Sequence, residues 1–178
     1  MPVSVKQRRR SRRPTQPLEK VVIEPQHLPE TQGNNPLKST RHAIVIEDES
    51  AYRELLIDLF DKHGYKTLHA SCGDDAQELA SRLAAQPVII AVDDSLPDML
   101  GVELARILRA WFPEARIIFL TSYGDPEKLY DAFRSGCTAS LVKPHGFKDL
   151  PRYLELLERD PTALDQLVFD NTGVYYME

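Results

Sequence analysis

Val88-Ile-Ile-Ala-Val-Asp-Asp-Ser-Leu-Pro-Asp-Met-Leu-Gly101 is the stretch around which the chain is organised. Its first five residues form an unbroken apolar run, 88–92, which predicts a parallel strand buried on both faces. The run ends in Asp93 and Asp94, and a helical pattern begins near Met99. Open α/β sheets bind ligands at the carboxyl ends of their strands, so a carboxylate here is suited to bind a metal or act as a nucleophile. A helix-capping aspartate in a strand–helix loop is the plainer alternative.

The same alternation of apolar strand and amphipathic helix recurs along the chain. Helical periodicity follows each strand, with one helix start expected at Asp74 or Asp75 and another at Asp125-Pro126. Units of about 20–25 residues predict a parallel sheet with helices on both faces and right-handed crossovers. Neither GxGxxG nor GxxxxGK is present, which argues against the commonest nucleotide-binding sites of such sheets. The predicted strands are 42–46, 65–70, 88–92, 116–120 and 139–142.

Composition divides the chain into a basic arm and an acidic body. Residues 1–41 carry a net charge of +6 and residues 42–178 a net charge of −11, which argues against nucleic-acid binding by the fold itself. A hydrophobic content of 42% supports a real core, and no apolar run is long enough to predict a membrane span. Cys72 and Cys137 match no metal or redox spacing, so we expect free, buried thiols in a cytoplasmic protein.

Residues 1–41 are expected to form a disordered arm. The segment is rich in proline and poor in apolar residues, so it cannot bury enough surface to offset its ordering entropy. Its arginine cluster, 8–13, is suited to nucleic acid, an anionic membrane surface or an acidic partner, whereas a solvated tail without a partner is an equal alternative. Residues 18–23 are a candidate for a short extra strand. No apolar segment follows the cluster, so the arm does not resemble a signal peptide.

Polar and charged residues end each strong strand of the predicted sheet. Parallel strand ends lie side by side, so these side chains should share one edge. Acids crowded together need a proton or a cation, and an all-oxygen site suits Mg²⁺. With a hydroxyl and an ammonium group nearby, the set describes a site for a phosphoryl group, with one Asp as nucleophile. Each residue alone has a plainer explanation as a helix-start acid, turn residue or surface charge. The set is Glu47, Asp48, Asp93, Thr121 and Lys143.

Four motifs in the body, in this order and at this spacing, resemble the receiver domain of two-component response regulators. The resemblance covers residues 42–159, with 1–41 as an arm and 160–178 as a tail. It implies a flavodoxin-like (βα)5 doubly wound parallel sheet of order 2-1-3-4-5. The motifs are Ile44-Val45-Ile46-Glu47-Asp48-Glu49, Val92-Asp93-Asp94-Ser95-Leu96-Pro97-Asp98-Met99-Leu100-Gly101, Leu120-Thr121-Ser122 and Leu141-Val142-Lys143-Pro144.

The resemblance also implies a role for each residue of the site. Asp93, four residues before Pro97 as in the family pattern, is the expected acceptor of a phosphoryl group from a histidine kinase or phosphotransfer protein. The product is an aspartyl phosphate, so the chain would be a phosphoprotein in a phosphorelay rather than a turnover enzyme. By the same resemblance Asp48 and Asp93 ligate Mg²⁺ directly, Glu47 ligates it through water, and the backbone carbonyl of Ser95 completes the shell. Thr121 and Lys143 are expected to bind phosphoryl oxygens.

Three positions depart from the family pattern. Ser140 stands where the family usually has Tyr or Phe, a ring that swings inward when the threonine moves. Its loss leaves either a weaker output or a role for another ring, Tyr123 or Phe147. Glu47 in place of the commoner Asp retains the charge. Asp94 adds a second carboxylate beside the acceptor, which either alters metal affinity or faces solvent, and we expect the latter.

The tail is expected to be too short for a DNA-binding or catalytic output domain, because only about 19 residues follow the last helix. Its two apolar runs, 167–169 and 174–176, predict a docking segment, one added strand or a disordered end. The favoured function is therefore a stand-alone receiver that signals to an unknown protein by protein–protein contact. The alternative is a non-phosphorylated pseudo-receiver, tethered by the basic arm to nucleic acid or an anionic surface. An enzyme acting on a phosphorylated small molecule is disfavoured, since no general base is in view.

Overall fold

The structure, a computed structural model, describes residues 41–159, 167–170 and 173–176. The predicted arm up to residue 40, with its candidate strand at 18–23, lies outside the described residues. The strands are β1 Arg41–Ile46, β2 Tyr65–Ala70, β3 Ile89–Asp93, β4 Arg116–Thr121, β5 Ala139–Val142, β6 Leu167–Asp170 and β7 Gly173–Tyr176. The helices are α1 Ser50–Lys62, α2 Gly73–Ser81, α3 Gly101–Trp111, α4 Pro126–Arg134 and α5 Leu150–Arg159, with a 3₁₀ turn at His145–Asp149.

The first five strands form a parallel sheet in the order β2-β1-β3-β4-β5. This order, with five helices, is the flavodoxin-like arrangement that the sequence predicts. Strand β2 lies on one side of β1, and β3 lies on the other. The strand order therefore reverses direction at the pair formed by β1 and β3. In open α/β sheets the ligand site lies at such a point, at the carboxyl ends of the strands.

Two hydrophobic cores lie on opposite faces of the sheet, because successive strand residues point to opposite sides. In β1, Ala43 and Val45 join the core beneath α1 and α5, whereas Ile44 and Ile46 join the core beneath α2, α3 and α4. The central strands are buried on both faces, which explains why their sequences are continuously apolar rather than alternating. The strands that end at the predicted site are therefore packed between two cores.

Three local predictions need correction. Strand β3 includes Asp93, and α3 begins at Gly101 rather than near Met99. Helix α2 is not capped by Asp74 or Asp75, which lie in its first turn. The amino end of α2 is capped by a residue distant in sequence. The Asp98 carboxylate accepts hydrogen bonds from the backbone N–H groups of Gly73 and Asp74 at 2.8 and 2.7 Å. Free N–H groups at a helix start need such acceptors, and here the β3–α3 loop supplies one.

The tail adds a hairpin to the sheet. Strand β6 pairs parallel to β5, with Ser140 opposite Val168, and β7 returns antiparallel to β6. Val168 is fully buried. Two added strands thus form where the sequence left one strand, a docking segment or disorder open, and the five-stranded sheet becomes seven-stranded in the described part of the chain.

Both cysteines are free thiols, Cys137 buried and Cys72 half-buried. Burial raises the pKa of the Cys137 thiol to about 12, so this cysteine is an inert core residue. Among the helices of residues 41–159, none has the length and apolarity needed to cross a bilayer.

Candidate functional site

The parallel register brings the predicted site residues to one edge of the sheet. Glu47 and Asp48 follow directly after β1, Asp93 ends β3, Thr121 ends β4, and Lys143 follows β5. All of these except Asp48 are buried, so the sheet carries charged groups into a region that excludes most water. Such groups must be paired or neutralised, since burial of an isolated charge costs several kcal/mol.

Lys143 pairs with two of the carboxylates. Its Nζ atom lies 3.0 Å from Glu47 Oε2 and 2.5 Å from Asp93 Oδ1. The ammonium group also lies 5.0 Å from the ring centroid of Tyr52, on α1. One cation therefore bridges the ends of β1 and β3, and an aromatic face covers it.

The acids remain in excess of this single ammonium group. Burial raises the pKa of Glu47 above its ordinary value, and the negative charge of Asp93 raises it further. The hydrogen bond from Lys143 lowers the pKa of Glu47 but does not outweigh the other two effects. Burial likewise raises the pKa of Asp93, against Lys143 and with a smaller contribution from the charge of Asp94. Burial lowers the pKa of Lys143, but its hydrogen bonds to Asp93 and Glu47 outweigh burial, so the net pKa is raised. The site holds its cation firmly and is short of positive charge.

The carboxylates of Glu47, Asp48 and Asp93 form a donor set that suits a divalent cation. Each offers one oxygen, and these oxygens lie within 4.8 Å of one another. Three carboxylates and one ammonium leave two negative charges, the charge that one Mg²⁺ would neutralise. Oxygen-only donors favour a hard cation, and the exposed position of Asp48 leaves room for the waters that Mg²⁺ retains.

The backbone around the acids is held by contacts that the sequence analysis did not identify. Arg53, one turn into α1, donates to the carbonyl oxygens of Glu47 and Asp48 at 2.8 and 3.0 Å. On the β3 side, a Cβ added at Gly101 would lie 1.9 Å from the carbonyl oxygen of Asp93, so only glycine permits this close approach of α3. The predicted metal-ligating carbonyl belongs to Ser95, whose N–H donates to Asp93 Oδ2 at 3.3 Å.

Asp94 does not face solvent, contrary to expectation. Its side chain is 11% exposed, and Oδ2 accepts a hydrogen bond from the Thr121 hydroxyl at 2.8 Å and one from Lys128 Nζ at 3.2 Å. Asp94 follows the last residue of β3, and its carboxylate contacts the site through the Thr121 hydroxyl. Neither contact has a signal in the sequence, because both partners are distant along the chain.

Ser140 is buried at the place expected for an aromatic ring. Its hydroxyl donates to the carbonyl oxygen of Phe119 at 3.3 Å. Of the two rings suggested as substitutes, Tyr123 is 72% exposed. Phe147 is buried and packs edge-to-face against Tyr52, with ring centroids 5.7 Å apart. Phe147 is therefore connected to Lys143 through Tyr52, and Tyr123 is not packed against the core.

Comparison with known proteins assigns a family to this arrangement. Residues 43–155 match the response regulator receiver domain. Sporulation initiation phosphotransferase F of Bacillus subtilis is 24% identical over 107 residues, 60% of this chain and 85% of its own length. The DNA-binding transcriptional activator DevR/DosR of Mycobacterium tuberculosis is 30% identical over 122 residues, 68% of this chain and 56% of its own length.

A solved structure is also similar to this chain. A response regulator from Burkholderia pseudomallei, with a phosphorylated aspartic acid, a calcium ion and citrate, is similar with a TM-score of 0.58 and 25% identity. The match covers 68% of this chain and 73% of that one. Since the family match covers more than half of the chain, this chain belongs to the response regulator receiver domain family.

Proposed function

We propose that Asp93 accepts a phosphoryl group from a phosphohistidine of a histidine kinase or phosphotransfer protein. The observation that supports this most is the Lys143 ammonium group, buried between Glu47 and Asp93 beside the exposed Asp48. The phosphorylated aspartic acid of the Burkholderia relative supports the same chemistry. The site combines a nucleophile, a fixed cation and a place for a divalent ion.

The transfer conserves atoms and electrons in one displacement. An Asp93 carboxylate oxygen attacks phosphorus, a P–O bond forms, and the P–N bond to the donor breaks with its electron pair left on the imidazole nitrogen. Lys143 holds the acceptor and then pairs with a phosphoryl oxygen, while the Thr121 hydroxyl donates to another. Glu47, Asp48, Asp93 and the Ser95 carbonyl would hold Mg²⁺, which supplies positive charge against the oxygens of the transferring group.

The experiment is labelling with acetyl phosphate followed by intact-mass measurement. We expect the wild type to gain one phosphoryl group only with Mg²⁺, and Asp93→Asn to gain none. Asp94→Asn is the matched control, because it changes the adjacent carboxylate and leaves the acceptor, so labelling should persist. Labelling of Asp93→Asn to the wild-type extent, or no labelling of the wild type, would overturn the proposal.

We further propose that the chain signals through protein–protein contact. The phosphotransferase among its relatives supports a place within a phosphorelay. Pull-down with and without a beryllofluoride mimic of the phosphoryl group tests this. A downstream partner retained only with the mimic is expected.

A second candidate is a pseudo-receiver that binds its partner regardless of phosphorylation. Two features favour it: Ser140 replaces the usual ring, and β6 pairs with the strand that carries it. Under this alternative, Asp93→Asn and the wild type with the mimic retain the same partner equally. Equal retention would therefore replace phosphorylation-dependent signalling with this alternative, whereas the labelling experiment decides phosphoryl transfer separately.

A further inference from the structure

Asp94 and Thr121 form a contact that competes with the proposed chemistry. The Thr121 hydroxyl oxygen lies 2.8 Å from Asp94 Oδ2 and 3.1 Å from the carbonyl oxygen of Tyr123. Its single proton therefore has two acceptors, of which the charged carboxylate is the nearer and the stronger. The backbone N–H of Tyr123 donates to the same hydroxyl oxygen at 3.3 Å. A hydroxyl that donates to Asp94 cannot at the same time donate to a phosphoryl oxygen on Asp93.

We propose that Asp94 is a positioning residue that holds the Thr121 hydroxyl away from the acceptor until a phosphoryl group competes for it. The inference deepens the proposed function, on which it rests, because it concerns how tightly the same site binds a phosphoryl group. Since a hydrogen bond to a carboxylate is roughly twice as strong as a neutral one, the phosphoryl oxygen must displace a strong contact.

Structural stabilisation alone accounts poorly for Asp94. Its second partner, Lys128, is 52% exposed, and ion pairs at such positions contribute little to stability. The Asp94 carboxylate nevertheless lies almost buried next to Asp93 in the chain, where a neutral residue would add no further negative charge. When the Thr121 hydroxyl donates to a phosphoryl oxygen instead, Lys128 on α4 still pairs with the Asp94 carboxylate.

The test is a double-mutant cycle on binding of the beryllofluoride mimic with Mg²⁺, measured by calorimetry on the full chain. Asp94→Ala should lower the apparent dissociation constant about tenfold, since it releases one charge-assisted hydrogen bond. In a Thr121→Val background the same substitution should change the constant less than about twofold. Asp94→Asn should give a smaller gain than Asp94→Ala, because its amide oxygen still accepts from Thr121.

The background separates positioning from charge. Loss of the Asp94 charge favours an anionic mimic equally with or without the Thr121 hydroxyl, so equal gains in both backgrounds would overturn the proposal. No gain from Asp94→Ala in the wild-type background would also overturn it. Failure of the wild type to bind the mimic would instead remove the proposed function and this inference together, so the two failures are distinguishable.

A spectroscopic readout gives independent evidence. In the protein without mimic, Asp94→Ala should move the Thr121 methyl resonance toward its position in the mimic-bound wild type. A resonance that stays at the unbound wild-type position would contradict release of the side chain. If Asp94→Ala does not fold, Asp94→Asn carries both measurements, with the same direction and smaller amplitude expected.

Discussion

The carboxyl ends of the parallel strands and the lateral side of the sheet formed by β5 and β6 bury their polar groups in opposite ways. We call the first the acidic edge and the second the outer edge. At the acidic edge, Glu47, Asp93 and Lys143 are buried as charges, and their partners come from separate strands. At the outer edge, β6 pairs with β5 in the sheet. The neutral hydroxyl of Ser140 is buried there and donates a hydrogen bond to the backbone carbonyl of Phe119. The first arrangement retains unbalanced charge that a ligand can satisfy, whereas the second satisfies itself. Ligand binding is therefore expected at the acidic edge, and a purely structural role at the outer edge.

The largest expected effect is that of Lys143→Met, which leaves two buried carboxylates without their cation. We expect a loss of about 3–5 kcal/mol in the free energy of unfolding at about pH 8, measured by urea denaturation. Lys128→Met removes an exposed cation and is the control, with a loss below about 1 kcal/mol. Equal losses in the two variants would contradict the difference between buried and exposed pairs.

The same variant has a predicted pH dependence. Burial raises the pKa values of Glu47 and Asp93, and removal of Lys143 takes away the group that opposes that rise. A carboxyl with a raised folded-state pKa contributes stability that is present at low pH and lost as pH rises through that pKa. The deficit of Lys143→Met should therefore shrink from about pH 8 to about pH 5. A deficit that grows on acidification would contradict this electrostatic cause.

At the outer edge, Val168→Ala should cost about 1–3 kcal/mol of unfolding free energy, because it truncates a fully buried side chain of β6. Val88→Ala is the matched control, since Val88 is 39% exposed and its truncation should cost less than about 1 kcal/mol. Binding of Mg²⁺ should be unchanged in both variants. A similar cost for both would mean that β6 does not pack on β5 as described.

Ser140→Ala is expected to have a smaller effect. It removes one buried hydroxyl, which donates to the carbonyl oxygen of Phe119 at 3.3 Å. We therefore expect a loss of about 0.5–1.5 kcal/mol in the free energy of unfolding, measured by thermal or urea denaturation. Ser81→Ala changes an exposed serine and should alter stability by less than about 0.5 kcal/mol. If Ser140→Ala instead weakens Mg²⁺ binding, the two edges are coupled and the comparison fails.

The sequence predicted the acidic edge well because its signal is local. Each apolar run ends in a polar residue, and parallel pairing alone brings Asp93, Thr121 and Lys143 together. Their catalytic and metal-binding roles remain predictions. The contacts that sequence reasoning missed are non-local: Asp98 caps a helix 24 and 25 residues away, and Lys128 reaches Asp94 across 34 residues.

Two further misses have their own physical reasons. Tyr52 belongs to an amphipathic helix face, where packing in the core and contact with Lys143 give the same sequence pattern. Strands β6 and β7 have four residues each, and so short a hairpin is defined by its pairing with β5 rather than by its own periodicity.

Calorimetric titration with Mg²⁺ tests the central claim most directly, that the carboxylates crowded at the acidic edge are balanced by a divalent ion as well as by Lys143. We expect binding at millimolar concentration or tighter, weakened at least about tenfold by Asp48→Asn, which removes one ligand of the set. The matched substitution Asp58→Asn, at an exposed acid on α1, should leave the affinity unchanged. Absence of binding at millimolar Mg²⁺, or equal affinity in wild type and Asp48→Asn, would contradict the account.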